Sequence, residues 1–136
     1  MKTTTIHYLT QAELGRLLKA IESKRDKALF YTAHIYGLRA SEVGLLQRGD
    51  IDFQRRRIRI QRVKGSVSGE QMLKPEVAKR IKRYLRVRAD HDPTLFLSSH
   101  GSPISRRTLD YLMKKYGELA QLSKKTRDTF ILSNTP

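Results

Sequence analysis

The sequence predicts an α+β fold, mainly α-helical with a small antiparallel sheet, built around one core. Three observations carry that expectation. Apolar residues recur at helical spacing through 11–36, 75–88 and 105–120. Residues 51–60 instead alternate apolar with polar, the two-residue period of a half-buried strand. Breaks bearing glycine, proline or polar residues separate these stretches.

Thr10 with Glu13 forms a capping box ahead of Leu14, Leu17, Leu18 and Ile21, which predicts a first helix over 11–23. A second begins at Arg25 or Asp26, carries Ala28, Leu29, Tyr31, Thr32 and Ile35, and stops on Gly37, where a residue without Cβ can take the left-handed cap conformation. His34 and Tyr36 flank that stop, and core packing is favoured over site lining for both. A short helix over 40–46 follows, and Gln47-Arg48-Gly49 turns the chain into strands. Ile51 and Phe53 form the first; Ile58 and Ile60 face inward on the second while Arg57 and Arg59 face outward. Residues 65–69 make a hairpin loop and 70–73 the returning strand. Pro75 opens a helix to 88 with Val77, Ala78, Ile81, Tyr84 and Leu85 inward; most of its basic residues need only a solvated face. Residues 90–94 link to a strand-like Leu95-Phe96-Leu97, and Ser105 caps a last helix bearing Leu109, Leu112, Met113, Tyr116, Leu119 and Ala120.

Composition narrows the function classes. The chain of 136 residues has no cysteine, so disulfides and thiolate metal sites are excluded. No apolar run approaches the ~20 residues of a membrane span, and the first residues lack a signal-peptide core, so a cytoplasmic protein without membrane insertion is expected. Lys and Arg number 28 against 13 Asp and Glu, a formal charge of +15. Between Arg48 and Asp90 there are 14 basic residues and five acidic ones, which concentrates the excess on the hairpin and the helix after it. Double-stranded DNA is the natural partner for such a surface; ribosomal, anionic-lipid and plain solvated-surface readings stay open.

The stretch Gly37-Leu38-Arg39-Ala40-Ser41-Glu42 draws these features together. An arginine fixed at a sharp corner between apolar helices needs an anion or a carboxylate. Glu42, three residues on, is placed to hold its guanidinium and leave donors for a phosphate. A structural pair that merely fixes the corner is the competing reading of the hexapeptide.

Arg39 to Glu42, followed by Leu45-Leu46, the strand entry Asp50-Ile51-Asp52 and the basic hairpin reaching Val63-Lys64-Gly65, resembles the first half of the catalytic domain of the tyrosine recombinases, the phage integrase family. The resemblance covers about 9–122 and divides the chain into an N-terminal extension (1–8), a partial catalytic domain (9–122) and a tail (123–136). It implies DNA cleavage by a tyrosine hydroxyl, through a 3′-phosphotyrosyl link and without metal, nucleotide or other cofactor. It further implies that Arg39 is the first phosphate-binding arginine, Glu42 its supporting acid and Lys64 the hairpin lysine that protonates the leaving oxygen. Arg57, Arg59, Arg62 and Arg106 are expected to contact DNA, Arg62 also being the neighbouring alternative to Lys64.

The family's H-x-x-R box, its later histidine or tryptophan and its nucleophilic tyrosine find no match. Tyr84, Tyr111 and Tyr116 stand at apolar helical positions where packing is the expected role. The expectation is therefore a truncated, inactive recombinase chain that exposes an apolar face and self-associates or pairs with a full-length recombinase. A non-catalytic DNA-binding module or competitor of a full-length recombinase, and an inactive gene remnant, are the alternatives. Residues 126–130, back-translated in a shifted frame, permit an approach to the missing box, so a frameshift near Ser123 competes with an ordinary disordered tail.

Overall fold

Thr10 opens the first helix by the reciprocal cap its sequence requires: the Thr10 hydroxyl accepts from the Glu13 N–H at 3.1 Å and the Glu13 carboxylate accepts from the Thr10 N–H at 2.9 Å. Helix α1 (Gln11–Ala20) ends before the expected residue 23. Ile21 turns extended and buries itself in the core, and Ser23 is used instead as the N-cap of α2 (Lys24–Tyr36), accepting from the Asp26 N–H. The computed structural model describes residues 9–62 and 68–122.

Helix α2 is the central element. Ala28, Leu29, Phe30, Thr32, Ala33 and Tyr36 are all buried, on more of its circumference than an amphipathic stripe would cover, because α1 and α4 both pack on it and α5 reaches it through Tyr116. The Phe30 and Tyr116 rings meet edge to face, 6.1 Å apart at 89°. Asp26 is buried in that contact, and its carboxylate accepts from the Tyr116 hydroxyl and from Arg25 Nε at 2.7 Å. Burial and the Asp26 carboxylate together push the Tyr116 phenol far above its usual pKa, so it serves as a fixed donor. Tyr84 stacks on Phe96 at 5.9 Å. The expected core role of these two tyrosines holds, whereas Tyr111 is exposed on α5.

Helix α3 is one turn, Ala40–Val43, shorter than the expected 40–46. Leu45 and Leu46 donate to the carbonyls three residues back, and the Leu46 carbonyl then receives the Leu95 N–H at 3.0 Å. The chain is thus pulled out of the helix to pair with 94–95, and Gly44 makes the bend possible: a Cβ there would lie 2.5 Å from the Ile104 carbonyl oxygen.

After a 3₁₀ turn (Arg48–Asp50), β1 (Ile51–Asp52), β2 (Arg57–Ile60) and β3 (Gly69–Met72) form an antiparallel sheet in the order β1-β2-β3. Ile51 faces Ile58, and Arg59 faces Glu70. Phe53, expected in the first strand, lies in the turn between β1 and β2, which Arg56 closes with φ of 59°. Helix α4 (Pro75–Arg86) packs against α2, and α5 (Arg106–Leu119) packs against α1 and α3. Arg88, expected at the end of α4, lies beyond it. Its guanidinium binds the carbonyls of Asp92, Thr94 and Leu95 and the Asp90 carboxylate, closing the turn that feeds Leu95 and Phe96 into the core. That guanidinium holds the Asp90 carboxyl well below the usual range. The fold is therefore mainly helical with a small three-stranded antiparallel sheet.

Candidate functional site

The corner at the end of α2 is built by backbone chemistry first. Gly37 takes the left-handed conformation, φ 60° and ψ 43°, and both its N–H and that of Leu38 return to the Ala33 carbonyl. Leu38 is buried, which pins the far side of the turn, and Arg39 follows in extended conformation as the N-cap of α3. Its backbone N–H donates to Glu42 Oε1 at 2.8 Å. Sequence reasoning expected Glu42 to hold the Arg39 guanidinium; the carboxylate instead takes the Arg39 backbone, since a side chain one helical turn on folds back over the helix start.

The guanidinium that Glu42 binds belongs to Arg62, with Nη1 to Oε1 at 3.0 Å. The same Nη1 reaches the Gly37 carbonyl at 3.2 Å, and Nη2 reaches the Tyr36 carbonyl at 3.1 Å. These are two carbonyls that α2 leaves without helical partners at its C-terminus. The Arg62 N–H donates to Ser68 Oγ at 3.0 Å, across the mouth of the hairpin. The Glu42 side chain is fully buried and that of Arg62 is 20 % exposed. The buried carboxylate is thus compensated by Arg62, and the charge of Arg39 is left over. Arg39 is half-buried, and among the described residues its guanidinium has no hydrogen bond or ion pair. A planar donor fork held at a rigid corner without a carboxylate is suited to the oxygens of a phosphate.

Tyr36 supports the corner from the other side: its hydroxyl donates to the Met72 carbonyl at 2.9 Å and accepts from the Lys74 N–H at 3.0 Å, linking α2 to the junction of β3 and α4. Burial raises its phenol pKa. His34 faces elsewhere, into a groove between α1 and α2 lined by Leu14, Leu18 and Ile35. Burial lowers its pKa, and among the described residues its Nδ1 has no partner.

The remaining expected DNA contacts differ in availability. Arg59 is exposed on the sheet, Arg57 forms an exposed pair with Glu70 at 3.1 Å, and Arg106 lies 4.0 Å from Asp110 at the start of α5. Lys64 and the tail after Leu122 fall outside the described residues. Sequence reasoning grouped Arg62 with the outward arginines and missed its interior bonds. The signal was present: Ile58, Ile60 and Arg62 share one parity, and the first two are buried. Among the described residues no three His, Asp or Glu side chains gather to hold a metal ion, and no helix is long and apolar enough to cross a membrane.

The model of the phage integrase family matches residues 7–130. The chain belongs to the phage integrase family. Among its relatives, the tyrosine recombinase XerA of Thermococcus onnurineus is 32 % identical over 117 residues, which cover 82 % of this chain and 42 % of XerA. The type 1 fimbriae regulatory protein FimB of Escherichia coli K12 is 31 % identical over 125 residues, 86 % of this chain and 62 % of FimB. The integrase-family fold is also that of the XerA recombinase crystal structure, with a TM-score of 0.76 at 24 % identity over 100 % of this chain and 53 % of that one. The XerH site-specific recombinase bound to its difH substrate gives a TM-score of 0.72 at 19 % identity, over 99 % of this chain and 43 % of that one. This integrase-family chain spans about half the length of those relatives.

Proposed function

We propose that this chain carries the first half of a tyrosine recombinase active site, binds double-stranded DNA through it, and does not complete strand cleavage by itself. The observation that carries the reading is the Arg39 guanidinium, unpaired among the described residues, at a corner whose buried carboxylate is already held by Arg62. Family membership supports it, as do relatives named as recombinases and a structural relative captured on its DNA substrate.

In the full reaction a tyrosine oxygen attacks the scissile phosphorus, the P–O5′ bond breaks, and the departing 5′ oxygen takes a proton. Charge gathers on the non-bridging oxygens in the transition state. Arg39 neutralises part of that charge, Glu42 fixes the backbone from which Arg39 projects, and Lys64 supplies the proton to the leaving oxygen. Arg57, Arg59 and Arg106 supply further phosphate contacts. The second arginine box and the nucleophile are not matched in these 136 residues, so the remaining machinery comes from another polypeptide segment. Such a complement, for example a full-length recombinase, meets apolar side chains that this chain leaves exposed, Tyr111 and Leu119 on α5 among them.

The test combines equilibrium binding with a denaturing gel on supercoiled or nicked DNA. Binding is expected to fall steeply with salt as condensed counterions are released, with no protein joined covalently to DNA. Affinity indifferent to salt overturns the phosphate-contact reading. A covalent band lost on replacing one tyrosine of this chain overturns the claim that it cannot cleave alone.

A further inference from the structure

We propose that Arg62 is a positioning residue for Arg39 and not itself a DNA contact; this rests on the reading that Arg39 binds a DNA phosphate. The geometry that carries it is a shared oxygen. Glu42 Oε1 accepts from Arg62 Nη1 at 3.0 Å and from the Arg39 N–H at 2.8 Å, so the carboxylate that fixes the Arg39 backbone is itself fixed by Arg62. The other Arg62 contacts point the same way: Nη1 to the Gly37 carbonyl and Nη2 to the Tyr36 carbonyl bind the residues that lead into Arg39.

Arg62 adds to the buried Leu38 and the Tyr36 hydroxyl bonds that also hold this corner. Helix α3 has only four residues, too few to be stable on helical hydrogen bonds alone, so Arg39 depends on tertiary contacts for its place. Arg62 brings those contacts from a different element, just past the end of β2, and its own N–H is tied to Ser68 Oγ. Its guanidinium makes three hydrogen bonds to protein acceptors and its side chain is mostly buried, unlike Arg59 on the same hairpin, which is exposed. Arg62 divides its acceptors between two guanidinium nitrogens, a spread that the single nitrogen of a lysine on a shorter stem does not reproduce.

This separates positioning from direct contact. A residue that merely contributes charge to DNA binding is rescued by lysine; one that aims Arg39 through a guanidinium fork is not. The experiment measures affinity for a short fluorescein-labelled duplex using the whole chain, Arg62→Lys, Arg62→Ala, Arg39→Ala and the double variant Arg39→Ala/Arg62→Lys, with circular dichroism confirming that each is folded at the assay temperature. Arg62→Lys is expected to weaken binding about tenfold although its charge is kept, and to have no further effect once Arg39 is alanine. Wild-type affinity in Arg62→Lys, or losses that add in the double variant, overturns the positioning role while leaving the Arg39 reading intact. An Arg39→Ala variant that binds as tightly as wild type overturns both. If Arg62→Lys does not fold, Ser68→Ala, which releases only the hairpin end of the tether, is measured in its place. It is expected to weaken binding only while Arg39 is present, and an unchanged affinity overturns the proposal.

Discussion

Arg39 and Arg62 are chemically identical and have opposite fates, and the difference lies in which oxygens lie within reach. Arg62 meets two helix-end carbonyls and a buried carboxylate and binds all three; Arg39, whose backbone takes that carboxylate, has no partner for its guanidinium among the described residues. The sequence announces Arg39, because Gly37 and the following N-cap are local signals. It does not announce the partner of Glu42, which lies 20 residues away and is chosen by how the hairpin docks on the corner. His34 supplies a residue-scale prediction. Its folded-state pKa is lowered from 6.5 by burial, so the unfolded chain binds its proton more readily. Stability is therefore full above about 6.5 and declines as pH falls toward the folded-state value, levelling off below it. Urea midpoints measured between about pH 7.5 and pH 5.5 should fall for the native sequence, and fall less for His34→Gln. Equal slopes for the two would contradict this account.

At the scale of elements, periodicity and caps specified the helices well and their ends poorly. The cap of α1 is where Thr10 and Glu13 require it, yet its last turn is given up because Ser23 caps α2 and Ile21 is buried. The apolar spacing through Leu45 and Leu46 suggested more helix after Val43, but pairing with 94–95 overrides it, and that pairing depends on residues distant in the sequence. Gly44 marks the conflict. Its Cα faces the Ile104 carbonyl, so Gly44→Ala must displace backbone on one side or the other. We expect that substitution to cost about 1–3 kcal/mol, read as a lower urea midpoint with an unchanged slope. An unaltered midpoint would mean that the approach of α3 to the start of α5 is looser than described. The basic residues around α4 were likewise only partly legible: Arg88 closes a turn by its hydrogen bonds, while Lys82 stacks over Phe53 at 5.1 Å.

For the whole molecule, the imbalance of 28 basic to 13 acidic residues is the part of the function most visible in composition, and it selects a polyanion without selecting a site. In the proposed reading the fold adds the site by placing the Arg39 guanidinium, unpaired among the described residues, at a corner beside the base of the hairpin. The most direct test is the affinity of wild type and Arg39→Ala for the same duplex across a salt series from about 0.05 to 0.2 M. Melting temperatures are measured alongside. The account predicts affinity lowered about tenfold by Arg39→Ala, a salt slope reduced by about one unit, and an unchanged melting temperature. Unchanged affinity with a lowered melting temperature would contradict it and make Arg39 a fixture of the helix corner.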